Sequence, residues 1–137
     1  MTTHPLRLTR GHDLKDSLDQ LVLTEGWPAA IVLTGIGSLS SAAIRFANQE
    51  TTELLTGPFE ILSLAGTLSP HGSHLHILLS DRHGNTCGGH LKPGSIIHTT
   101  AEIVLGILPD WQFQRTPDPG TGHLELRITR PDSPAAG

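Results

Sequence analysis

Ser73-His74-Leu75-His76-Ile77-Leu78-Leu79-Ser80-Asp81, then Arg82-His83-Gly84-Asn85, then Thr86-Cys87-Gly88-Gly89-His90-Leu91 is the stretch whose reading decides the fold. The first segment has strand character, and Asp81 to Asn85 carries the residues of a tight turn. The last segment is short and glycine-rich and pairs back on the first. A hairpin over 74–91 commits this part of the chain to antiparallel pairing. Side chains alternate along a strand, so His74 and His76 project from one face, roughly 6–7 Å apart at Cα. Leu75, Ile77 and Leu79 take the other face, where they can hold a core.

Further segments extend the pattern on both sides of this hairpin. Residues 5–10 alternate apolar and polar, as a half-buried strand does. Asp13 to Glu25 is the one long helix: Leu14, Leu18, Leu21 and Val22 share a side, Asp13 and Asp16 sit where an N-terminus favours negative charge, and Gly26 is the stop. Ala29 to Thr34 is a strand that Gly35-Ile36-Gly37-Ser38 is expected to end in a turn. Residues 40–47 form another strand. Thr51 to Leu55 is a short one, broken by Gly57-Pro58, and Phe59 to Leu68 is a long one. Ser95 to Leu108 could open as a short helix at Thr99, but its β-branched content favours a strand. Residues 111–115 and 123–129 alternate cleanly around a Pro/Gly/Asp loop. The expected fold is α+β: a single domain over 1–130, with a mostly antiparallel central sheet of about seven or eight strands and one long helix. Residues 131–137 are expected to form a disordered tail.

Composition narrows the classes. The chain has 137 residues, 36% of them apolar and 16% charged, a globular balance and enough length for one real core. No run approaches the ~18 apolar residues of a membrane helix. The single cysteine, Cys87, excludes an internal disulfide, and the first residues lack a signal-peptide layout, so a cytoplasmic location is expected. Nine basic residues stand against 13 acidic ones, a net charge of -4. Coating a phosphate backbone by bulk charge needs the opposite balance. The chain also carries 9 histidines, 15 glycines and 10 prolines, which fits many short strands and tight turns.

The histidines are the candidate site. His90 lies in the segment that folds back against His74 and His76, so the hairpin brings all three together. Three imidazoles with an open fourth position make an accessible zinc-type centre. The competing interpretation is three hydrogen-bonded polar residues on a wet sheet face. Cys87, three residues before His90, is a rival ligand or an ordinary small buried residue. His71 and His83 fall in turns facing solvent. Glu102 interrupts an apolar stretch and should have a partner, either one of the site histidines, which it would orient or serve as a base, or Arg45. Gly35-Ile36-Gly37-Ser38 lacks the lysine and spacing of a phosphate loop.

Taken in order, these segments resemble the PPC, or plant and prokaryote conserved, domain. The resemblance is carried by Gly11-His12-Asp13-Leu14, by Gly35-Ile36-Gly37-Ser38-Leu39, and by Gly57-Pro58-Phe59-Glu60-Ile61-Leu62-Ser63-Leu64-Ala65-Gly66-Thr67. It continues through His74-Leu75-His76, Gly88-Gly89-His90-Leu91 and Ala101-Glu102, and spans about residues 6–129. It implies a central antiparallel sheet and a compact homotrimer. In plants the domain follows AT-hook segments that bind A/T-rich DNA, and free-standing bacterial members carry a DNA-binding label. This chain has no Arg-Gly-Arg-Pro hook, and Pro58 stands where the family has a basic residue.

The expected function is therefore a homotrimeric PPC-domain protein, a DNA-binding or regulatory assembly module, with a metal site of His74, His76 and His90. The alternative is a zinc-dependent enzyme or small-ligand-binding protein using the same histidines, with Glu102 as base. Weak or no DNA binding is expected from the charge, and no membrane association.

Overall fold

The structure, a computed structural model, describes residues 1–131. The tail expected over 131–137 lies outside the described residues beyond Pro131. The elements are β1 (Thr2–Thr9), α1 (Leu14–Glu25), β2 (Ala30–Arg45), β3 (Glu53–Leu68), β4 (His74–Ser80), β5 (Thr86–Leu91), β6 (Ile96–Ile107), β7 (Gln112–Pro117) and β8 (Leu124–Thr129). The mostly antiparallel, one-helix α+β architecture is as expected. The eight strands divide: six form one sheet in the order β1-β6-β2-β3-β4-β5, and β7 and β8 form a separate two-stranded ribbon. The end of β2 also pairs with β5, so β2, β3, β4 and β5 close into a ring of hydrogen-bonded strands. No helix among the described residues is long and apolar enough to cross a membrane.

Helix α1 is set by its ends and by one face. The Asp13 carboxylate accepts from the Asp16 amide at 3.0 Å, which satisfies one of the free donors of the first turn. Its other oxygen accepts from the Gly94 amide at 2.7 Å, tying the helix start to the turn before β6. Gly26 stops the helix in the left-handed region at φ 67°. Leu14, Leu18 and Val22 are buried in one core with Leu39, Ile44, Leu75, Leu79 and Leu91. Each such side chain contributes about 1.5–3 kcal/mol through area removed from water.

Two expected breaks are absent. The segment Gly35 to Ser38 is no turn: β2 runs straight through it, paired on both edges with β3 and β6. Gly37 is needed for close approach, since a Cβ there (φ 148°) would run into Thr100 O and the Ala101 backbone of β6. Likewise β3 continues through Gly57-Pro58, with the irregularity absorbed opposite, where the β2 register shifts between Leu39 and Ser41. Glycine and proline signal a bulge or close packing in a long strand as readily as they signal a turn. The segment Ser95 to Leu108 is strand β6, paired to β1 and β2.

Candidate metal centre

Strands β4 and β5 build the site. Leu75, Ile77 and Leu79 are buried at 0%, 3% and 0% exposure, which turns His74 and His76 to the outer face of β4. The β4–β5 register sets His76 opposite His90 and Leu79 opposite Cys87. Directly paired residues share a face, so His90 joins the histidines while Cys87 turns to the core. Cys87 indeed packs against the buried cluster. The Gly88-Gly89 pair allows the strands to approach: a Cβ on Gly89 would meet Ile44 Cγ2 at 2.8 Å and Arg45 O at 2.9 Å.

The three imidazoles converge. Their ligand nitrogens all lie within 4.8 Å of one another. Ring centroids are 4.9 Å apart for His74–His76, 4.7 Å for His74–His90 and 5.8 Å for His76–His90. The Nε2 atoms of His74 and His76 face each other at 3.1 Å. Two neutral lone pairs repel at that distance, so either a proton or a cation must lie between them. Burial is the main force lowering the His74 pKa, followed by the Arg115 guanidinium and His76. Burial likewise lowers His90, with His74 and then Arg45 adding to the effect, to about 4. Near neutral pH His74 and His90 are therefore held in the uncharged form that binds metal. A tetrahedral ion at about 2.0–2.1 Å from each nitrogen would need them roughly 3.4 Å apart. The His74–His76 pair stands at 3.1 Å. A shift of about an ångström in the rings would bring in any nitrogen as far off as the 4.8 Å limit. The donor set, three imidazole nitrogens, suits a transition-metal ion.

The surroundings include residues that sequence reasoning did not assign to the site. A cavity of about 780 Å³ opens beside the histidines, walled by Arg45, the turn 46–50, Gly89 and His123. Arg45 reaches it because β2 pairs with β5 at its end, Arg45 opposite His90. A second cavity of about 520 Å³ adjoins it and adds Lys92, Arg115 and Glu125 to the wall. Arg115 and Glu125 come from the β7–β8 ribbon. Nothing in local sequence says that this ribbon returns to the histidines, since the contact is between distant segments. Clean alternation at 111–115 and 123–129 was the only signal, and it identified strands, not their location.

Glu102 is not brought to the site. It is exposed on β6, across from Arg7 on β1 and Ile36 on β2, and lines neither cavity. On that strand Ala101, Ile103 and Leu105 face the core, so Glu102 points to solvent and needs no buried partner. His71 is exposed, with Nδ1 accepting from the Arg115 amide at 3.1 Å, and His83 is exposed in the β4–β5 turn.

Comparison with known proteins is consistent with this site. The bifunctional protein GlmU of Synechococcus sp. (strain JA-2-3B'a(2-13)) contains a segment 49% identical over 134 residues, covering 98% of this chain and 21% of that protein. The chain thus spans about a fifth of the length of the curated relatives it matches. A protein of Salmonella enterica of solved structure is 41% identical with a TM-score of 0.92, covering 95% of this chain and 94% of that one. A protein of Archaeoglobus fulgidus, described as metal-containing, is 30% identical with a TM-score of 0.79, covering 93% and 94%. Residues 1–109 match the model of the Plants and Prokaryotes Conserved domain, and the chain belongs to that family.

Proposed function

We propose that this domain is a metal-binding module in which His74, His76 and His90 hold one zinc ion, with an open position facing the adjoining cavity. The observation that carries it is the convergence of three imidazole nitrogens within 4.8 Å on the outer face of one hairpin. The metal-containing relative from Archaeoglobus fulgidus supports the reading. Bound zinc would supply a Lewis acid and lower the pKa of a bound water to about 7. The protein's part is to keep His74 and His90 uncharged, fix all three imidazoles on a two-stranded frame, and leave one side open. A cavity of about 780 Å³ is of the size that takes a small molecule. The favoured role is thus a metal-dependent small-ligand site. A hydrolytic role needs a base, and Glu102, the candidate for it, faces solvent on β6.

The module is proposed to work as a homotrimer. Leu33, Ile36, Leu62 and Leu78 are 42–51% exposed on sheet strands, and packing of copies would cover such side chains. Light scattering on a sizing column tests this; a monomer at micromolar concentration contradicts it. Direct DNA binding is not favoured at a net charge of -4.

Elemental analysis of protein purified without a histidine tag and without chelator tests the metal reading. About one zinc per chain supports it. Absence of any transition metal, with none taken up on reconstitution, contradicts it.

A further inference from the structure

The residues beside the histidines are cationic in a way the metal alone does not require. Arg45 stands opposite His90 on the neighbouring strand. Arg115 is held over β3 by a 2.8 Å hydrogen bond from Nη2 to Thr67 Oγ1, and Thr67 is the direct cross-strand partner of His74. The two guanidiniums thus flank the histidines from opposite edges. Both are partly buried, and both line the cavity of about 520 Å³ that contains His74 and His90. Lys92 adds a third charge to that wall. Lys15 is already engaged by Asp19 at 2.8 Å. Among the described residues that is the one ion pair, so Arg45, Arg115 and Lys92 have no carboxylate partner at salt-bridge distance. Glu125 faces Arg115 without closing a bridge to it, and Glu50 lines the larger cavity.

We propose that this face is an oxyanion site: Arg45 and Arg115 take the phosphate or carboxylate group of a small molecule whose oxygen occupies the open position on the ion. The inference rests on the metal reading and adds the class of ligand. A half-buried guanidinium with no bridging carboxylate carries a desolvation cost that an oxyanion would offset, and Glu125 at longer range relieves only part of that cost at Arg115. The planar fork of a guanidinium matches phosphate and carboxylate bidentately. The two arginines stand on either side of the three imidazoles, so a ligand bound between them would lie against an ion held there. Arg115 belongs to the ribbon β7–β8, which follows the 1–109 segment matched by the family model. Half of the clamp therefore comes from outside that matched segment.

The test uses zinc-loaded protein titrated calorimetrically with inorganic phosphate, with acetate, and with a short DNA duplex at about 150 mM salt. Saturable binding of phosphate or acetate is expected, and the stronger of the two identifies the ligand chemistry. Arg45→Met and Arg115→Met should each weaken it about tenfold or more, the effect of losing charge-assisted hydrogen bonds, with zinc content unchanged. Arg45→Met stands as the independent check should the Thr67 contact make Arg115→Met unstable. Unchanged anion affinity in a folded, zinc-loaded variant overturns the proposal. So does zinc-loaded protein that binds neither anion, or that binds only the duplex. Failure of the metal reading looks different: wild-type protein takes up no zinc at all. Arginine-dependent phosphate binding by such zinc-free protein would keep the clamp and remove the ion from it.

Discussion

His76 and His90 stand directly opposite one another on β4 and β5, with ring centroids 5.8 Å apart, on the face away from Leu75, Ile77 and Leu79. That single pairing decides which residues can share an ion. It admits His74, two positions along the same strand, and excludes Cys87, which falls on the other face.

The Asp13 carboxylate joins two parts of the fold, capping α1 through the Asp16 amide and holding the Gly94 amide of the turn before β6. Asp13→Ala removes both acceptors. A loss of about 1–2 kcal/mol is expected in chemical denaturation, and Asp13→Asn should retain most of the cap. No change in Asp13→Ala would contradict the role.

Gly66 packs where β3 passes His74. A Cβ there, at φ 148°, would run into His74 O and sit 2.9 Å from Leu75 Cα. Gly66→Ala is expected to push β4 away, costing on the order of 1–3 kcal/mol in thermal or chemical denaturation and weakening metal uptake. Gly84→Ala is the control for metal uptake: at φ 80° it also strains the backbone, but its Cβ meets nothing within 4 Å, so it costs stability without pushing on β4. Normal metal affinity in Gly66→Ala would mean that the His74 backbone does not set the site.

Metal-free protein should lose stability on acidification in a defined window. His90 is lowered from 6.5 to about 4 by burial and by neighbouring positive charge, and His74 is lowered for the same reasons. Between those two values the unfolded chain binds a proton that the folded chain refuses, so stability falls as pH drops from about 6.5 and this loss is complete below about 4. Asp81, held below the usual carboxylate range by the His83 and Asn85 amides, acts only at lower pH. Thermal midpoints of metal-free protein between pH 7.5 and 4.5 check this, with His90→Gln expected to flatten the slope. A midpoint independent of pH across that range would contradict it.

Local pattern located the helix, the hairpin and the three histidines, because each depends on residues close in sequence. Asp13 and Gly26 mark the ends of α1, and alternation across 74–79 separates core leucines from histidines. Long strands were harder to read. Gly37 and Gly57 imitate turn signals, yet each lets another strand's backbone pass close by. The cationic half of the site was hidden for a different reason. Arg45 reaches His90 through ring closure between β2 and β5, and Arg115 comes to His74 on a separate ribbon. Glu102 misled because a carboxylate within an apolar run has the same sequence appearance whether it faces a core or solvent.

The central claim is that His74, His76 and His90 together hold one ion. The direct measurement is zinc per chain, by elemental analysis after equilibrium dialysis, in His74→Ala, His76→Ala, His90→Ala and Cys87→Ala, with circular dichroism confirming that each is folded. Each histidine variant is expected to lose most of its zinc, while Cys87→Ala keeps it. Zinc content unchanged in all four would contradict the account. Loss in Cys87→Ala with retention in His90→Ala would assign the third ligand to the wrong side of β5.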